Sequence, residues 1–197
     1  MIYQFQSEHW VPASVERVFQ FFANPENLPR IAPPAQEIRI EGLQLVTPPR
    51  HPLGARISGM AGIGSEITLS IRAGGLMPRR IRWRTRIIDF AWNRSFIETQ
   101  AEGPMEFWTH RHSFQASERD DVEGTLIRDE IEYDPGFGLF GTPGGSLFSR
   151  KGLSRSFEYR KQALEKLLPP VRKTDLPPRI AAQLRKVGEQ LRRLSSR

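Results

Sequence analysis

The 197-residue chain has 38% hydrophobic and 26% charged residues, a net charge of +7 and no cysteine. That balance excludes wholesale disorder, and the missing thiol excludes a disulfide framework, a thiolate metal site and a cysteine nucleophile. At this length one domain with an appendage buries enough apolar surface to fold without staples.

The opening MIYQFQSEHWVPAS has neither the basic leader nor the apolar run of a signal peptide, and no later stretch reaches the roughly 20 apolar residues of a bilayer span. A soluble, cytoplasmic protein is expected. The charge is unevenly placed: residues 169–197 hold eight Lys and Arg against Asp175 and Glu189, which leaves the body almost neutral. The body therefore lacks a nucleic-acid footprint, and no nucleic-acid partner is expected.

Residues 2–11 alternate loosely up to Pro12 and are expected to form a first strand. Ser14 stands as N-cap before Val15, Val18, Phe19 and Phe22, whose i, i+3, i+4, i+7 spacing marks one helical face. Asn24-Pro25 ends that helix, and residues 26–31 form a second short one before Pro33-Pro34. Residues 36–46 read as a strand with Ile38 and Ile40 on one face and Gly42 as a bulge, and the Pro- and Gly-rich residues 47–64 as a long loop.

Strands follow at 65–73, 80–90, 94–101, 105–116 and 124–134, separated by Gly-Gly, Trp-Asn, Gly-Pro and Asp-Asp turns. Connections this short make an antiparallel meander. After a Gly-rich segment at 135–145, a long helix is expected at 146–168, with Leu153, Phe157, Leu164 and Leu168 as its apolar stripe and Gly152 as a place to bend. Pro169-Pro170 stops it. This helix is the one element long enough to cover the sheet, so the expected class is α+β, a helix grip. A curved antiparallel sheet of about six or seven strands wraps a long C-terminal helix, with two short helices after the first strand. A twisted sheet closing over one helix leaves a gap that suits an apolar ligand. The domains are expected at 1–168, which binds the ligand, and 169–197, a tail.

Three stretches carry a family resemblance: Ala13-Ser14-Val15-Glu16-Arg17-Val18-Phe19 with Asn27-Leu28, then Gly103-Pro104 leading to Trp108-Thr109-His110-Arg111-His112-Ser113-Phe114, then Asp129 with Tyr133. With this order of elements the chain resembles the START-like superfamily, also described as SRPBCC or helix-grip proteins, which includes polyketide cyclase/dehydrase-like members. The resemblance implies a fold and a cavity and leaves the reaction open, because folds of this kind host unrelated functions. The loop through Met60-Ala61-Gly62-Ile63-Gly64 is enlarged relative to the family, and the basic tail lies outside its domain.

The segment 105–116 holds most of the chemistry. Alternation places Trp108, His110, His112 and Phe114 on the inward face and Phe107, Thr109, Arg111 and Ser113 on the other. Two histidines at i and i+2 can share a metal with Asp129 or Glu98 from neighbouring strands; they can equally hydrogen-bond within a polar patch of the cavity wall. The second reading is adopted, so no metal and no cofactor are expected. Pairing with 124–134 brings Asp129 near the histidines. Such a couple fixes a tautomer and raises the imidazole pKa, as a general acid or base requires, and it also occurs in purely structural networks. His110, His112 and Asp129 are thus the candidate catalytic residues.

Trp83 shares a face with Ile81, Thr85 and Ile87, while Arg82, Arg84 and Arg86 form a solvated face. Trp83, Glu98, Tyr133 and Phe157 join the inward residues of 105–116 and Asp129 as expected ligand contacts. No G-x-S-x-G elbow or G-x-x-x-x-G-K-[ST] loop occurs, so hydrolase and nucleotide-binding readings lose support. The glycines of 136–145 are read as a lip at the cavity mouth rather than a phosphate cradle.

In the tail, Ile180, Leu184, Val187, Leu191 and Leu194 form an apolar stripe beside Arg179, Arg185, Lys186, Arg192 and Arg193, with Arg197 at the end. This basic amphipathic helix packs on its own domain, joins a symmetry mate in a homodimer, or meets an anionic membrane or a protein partner. Without interleaved aromatics it is a poor single-strand nucleic-acid binder. Three functions follow. The first is binding, transport or sequestration of a lipid-like or aromatic molecule, and the second a cyclase/dehydratase-type enzyme using a His-carboxylate pair. The third is an interaction module acting through the tail.

Overall fold

A computed structural model of the chain describes residues 1–51, 58–72, 80–120, 122–136 and 147–170. The first strand, β1 (Tyr3–Val11), leads into helix α1 (Val15–Ala23) and a 3-10 helix (Pro25–Arg30). Asn24 caps the latter by accepting a hydrogen bond from the Glu26 amide at 3.0 Å. Pro29 inside this segment cannot donate a backbone hydrogen bond, which keeps it to a short turn of helix. Ser14 occupies the N-cap position of α1 without a side-chain capping hydrogen bond.

Six further strands follow: β2 (Arg39–Gln44), β3 (Glu66–Arg72), β4 (Arg80–Ala91), β5 (Ser95–Glu102), β6 (Phe107–Arg119) and β7 (Val122–Asp134). They form one antiparallel sheet in the order β1-β7-β6-β5-β4-β3-β2, so the first strand returns to pair with the last. Helix α2 (Arg150–Leu167) packs across the concave side. The expected sheet is present with seven strands, and the register slips between Ile40 and Gly42, as a bulge at that glycine requires.

Two element starts lie three residues or more from the sequence reading. Residue 36 belongs to a 3-10 turn (Pro34–Gln36) and β2 starts only at Arg39, because Pro33-Pro34 directs the chain into a turn that Glu37 closes at φ 39°. The long helix begins at Arg150. Ser149 is its N-cap, accepting from the Gly152 amide at 3.1 Å, so Gly152 sits in the first turn and does not bend the helix. The tail from residue 171 and most of the Gly-rich segment, including the expected lip, lie outside the described residues. The arginine row of β4 lies on the solvent side, where Arg86 donates to Glu66 at 2.9 Å and Arg84 reaches Glu102 at 3.4 Å.

The core has two centres. In one, Phe19 of α1 is fully buried and meets Phe90, Phe96 and Phe114 edge-on, with centroids 5.2, 6.2 and 5.4 Å away. Leu164 and Leu168 close this end from the α2 side. In the other, Leu153 and Phe157 of α2 pack with Phe5, Trp83, Trp108 and Ile131. Both helices are therefore amphipathic because each faces one sheet. Truncating Phe19 to Ala leaves a hole among three rings that cannot collapse, and it should cost about 3–5 kcal/mol in denaturant unfolding.

His9 lies on β1 close to Glu158, Arg160 and Lys161 of α2, with Nε2 buried and without a hydrogen-bond partner among the described residues. Burial is the main cause that lowers its pKa from 6.5 to about 4; the Asp129 carboxylate opposes this, Arg160 and Lys161 add to it, and Glu158 opposes it weakly. The unfolded chain takes up this proton near pH 6.5 and the folded chain refuses it until about 4, so stability is lost as pH falls through that window. A His9→Gln variant should show a flatter decline of Tm between those two values, measured by thermal melts over a pH series.

Candidate functional site

Strand β6 lies in the interior of the sheet, and strict alternation turns Trp108, His110, His112 and Phe114 inward, all buried. Register decides their neighbours. Glu98 of β5 stands opposite His110, and Asp129 of β7 stands opposite His112. The two carboxylates therefore flank the histidine pair on opposite sides and on a diagonal, where each reaches its direct partner and the next ring along.

Asp129 is the inner anchor. Its Oδ1 accepts from His110 Nε2 at 2.9 Å, while His112 Nδ1 approaches the same oxygen at 2.7 Å. The second approach is close enough for an ion contact but too far out of line for a hydrogen bond, and Asp129 Oδ2 has no hydrogen-bond partner among the described residues. Arg160 of α2 adds its guanidinium at 3.5 Å from Oδ1 and lies over the Phe157 ring at 4.4 Å. On the other side, Glu98 Oε1 is 3.5 Å from His110 Nδ1 and 3.7 Å from His112 Nε2. The two imidazoles lie with centroids 3.8 Å apart and planes tilted by 41°.

Charge in this cluster is set by burial against partners. Burial pushes the Asp129 carboxyl up, but His110 and His112, followed by Arg160, outweigh it and hold the group well below the usual carboxylate range. Glu98 is shifted the same way: burial raises it and the facing imidazoles more than reverse that. For His112 burial favours the neutral ring, and the two carboxylates overcome it, so its pKa is raised. The site thus stores negative charge on both carboxylates and attracts positive charge between them.

A cavity of about 170 Å³ lies beside this cluster, bounded by the sheet and by the helices. Trp83, Glu98, Trp108, His110, His112 and Phe157 all line it. Three of the expected contacts stand elsewhere. Phe114 packs against Phe22 at 5.2 Å in the aromatic core, because α1 covers the sheet directly at that point of β6. Tyr133 lies against Tyr3 and Trp108. Asp129 is buried behind the imidazoles. Arg160 lines the cavity and was not anticipated; its signal was present in the helix, where Leu153, Phe157, Arg160 and Leu164 follow one another at steps of four, three and four.

No known protein family and no curated protein matches the sequence. Solved structures do match. Ginseng major latex-like protein 151 from Panax ginseng is 12% identical, with 86% of this chain and 99% of that chain covered and a TM-score of 0.56. A START superfamily protein from Mycobacterium smegmatis is 17% identical, covers 84% and 96%, and has a TM-score of 0.54. The fold is the START-like helix grip. A further match with that fold is norcoclaurine synthase from Thalictrum flavum in complex with dopamine and hydroxybenzaldehyde, 14% identical over 85% of this chain and 86% of that chain, with a TM-score of 0.50. At such identities the helix grip is what these proteins share with this chain.

Removing the anchor leaves two imidazoles and a guanidinium facing an uncharged gap. Asp129→Ala should therefore lower stability by about 3–5 kcal/mol, the cost of breaking a buried charged cluster, as read from denaturant unfolding.

Proposed function

We propose that this helix-grip chain binds a small apolar molecule, lipid-like or aromatic, in the cavity between sheet and α2, and serves to carry or sequester it. The observation that carries this reading is the cavity itself, walled by Ile67, Leu69, Ile71, Trp83 and Trp108 on the sheet side and by Leu153 and Phe157 on the helix side. A pocket with mostly apolar walls and a few convergent polar groups is the usual build of a small-molecule site. Here the charged or ionisable groups in the lining are Glu98, His110, His112 and Arg160, which suit a ligand with one polar end. The Thalictrum flavum structure supports the same view, since it is a helix grip that holds small aromatic molecules.

Purified full-length protein should release an apolar compound on solvent extraction, read by mass spectrometry, or gain in Tm when screened against fatty acids and small aromatics. At a ligand concentration of 100 times Kd the expected gain is about 2.7 kcal/mol. Leu69→Phe, which fills part of the cavity, should lose this response while remaining folded. Extraction that yields nothing, with no ligand raising Tm, would remove the proposal.

A second reading is favoured by one observation: His110 is in the cavity wall and hydrogen-bonded to Asp129 at 2.9 Å, within reach for proton transfer. On that reading the chain is a cyclase/dehydratase-type enzyme in which His110, oriented by Asp129, moves a proton on the bound molecule. Conversion of the extracted ligand on incubation, abolished in His110→Asn with binding retained, separates catalysis from carriage.

A further inference from the structure

The outer side of the histidine pair has an unusual electrostatic arrangement. His110 donates Nε2–H to Asp129, so in its neutral form the ring turns the lone pair of Nδ1 toward Glu98 Oε1. His112 sets Nδ1 at 2.7 Å from the same Asp129 oxygen, as an ion contact and not a hydrogen bond, and turns Nε2 toward the same Glu98 oxygen; with its proton on Nδ1, Nε2 is an acceptor as well. Three acceptor atoms then converge with nothing positive between them. Protons on both rings would resolve this, at the expense of holding two imidazolium charges at a centroid distance of 3.8 Å. A single cation shared by all three atoms resolves it without that repulsion.

We propose that Glu98, His110 and His112 form a binding site for one divalent first-row transition ion, Zn²⁺ foremost, with its open coordination position facing the apolar cavity. One ligand atom from each of these residues lies within 4.8 Å of the others. Ligands about 2.0–2.1 Å from a tetrahedral Zn²⁺ stand roughly 3.3 Å apart, so the two nitrogen-to-Oε1 separations need to close only slightly. Two imidazoles and one carboxylate form the donor set of metal sites that keep a position open.

The surroundings match in two further respects. Asp129 accepts from the far nitrogen of His110 at 2.9 Å and lies 2.7 Å from that of His112, the position of the outer-shell carboxylate that orients metal-bound histidines. All three ligands line the cavity and Asp129 does not, so the open position points to where a bound molecule sits. With neutral imidazoles, Glu98 and Asp129 against Arg160 leave the cluster one negative charge, which a divalent ion converts to one positive charge. This proposal departs from the expectation of a metal-free pocket, and it does not depend on the ligand-binding reading.

The test uses the full chain, freed of metal with a chelator and titrated with Zn²⁺ alone and with Co²⁺ alone. One ion should bind per chain with micromolar or tighter affinity, and Co²⁺ should give the visible d–d bands of a four- or five-coordinate ion. Glu98→Gln and His112→Asn should each weaken binding by about a hundredfold, Asp129→Asn by about 10–100-fold, and His9→Asn should leave it unchanged. Absence of binding up to millimolar metal overturns the proposal. So does wild-type affinity in Glu98→Gln, which would place the ion elsewhere. If His112→Asn fails to fold by circular dichroism, Glu98→Gln decides alone, since Glu98 is partly exposed and the replacement preserves its shape.

Discussion

A carboxylate buried to 1% exposure midway along β7, one strand in from the edge of the sheet, is the constraint around which the inner face is arranged. A lone charge there would be too expensive to keep ionised, so Asp129 depends on having cationic or donor groups within contact distance. Two come from the neighbouring strand β6 and one from helix α2, which means that the sheet and the helix are tied to each other electrically as well as by apolar packing. This tie fixes the rotation of α2 about its axis. A turn of the helix by one residue would take Arg160 off Asp129 and Phe157 off Phe5, whose rings lie 5.0 Å apart.

The cavity is the other side of that arrangement. Interiors normally fill their space, and a pocket of about 170 Å³ between sheet and helix leaves its wall atoms with packing partners on one side only. The two aromatic centres supply close packing beside it. Stability and the ability to hold a guest share residues: Leu69, Trp83 and Trp108 belong to the buried core and also wall the cavity, while Phe19 serves the core alone.

The helix grip and the histidine pair were legible in the sequence for one reason, the period of two along strands, which assigned Trp108, His110 and His112 to a single inward face. Glu98 was recognisable only as a carboxylate on a neighbouring strand. Its convergence with both rings follows from the β5–β6 register, which the turn at residues 103–106 sets and which a slip by one position would undo. Phe114 and Tyr133 share the inward side with Trp108, yet alternation states which side a residue takes and not what covers it there. Arg160 was the residue that could have been found. An arginine at a stripe position of an otherwise apolar helical seam has to meet a buried partner or a polar cavity wall.

The pairing of β1 with β7 carries a consequence for how the protein is made. Tyr3 meets Tyr133 and Val11 meets Thr125, so the earliest strand of this sheet to be synthesised is completed by the latest. Roughly 120 residues must be added in between, which at 5–20 residues per second takes about 6–24 s. Through that interval β1, with Phe5 and Val11, has no partner strand, and α1 gains its sheet contacts Phe90, Phe96 and Phe114 only as β4, β5 and β6 are made. The nascent chain exposes an unpaired strand edge next to a phenylalanine-rich helix, a natural target for holding chaperones.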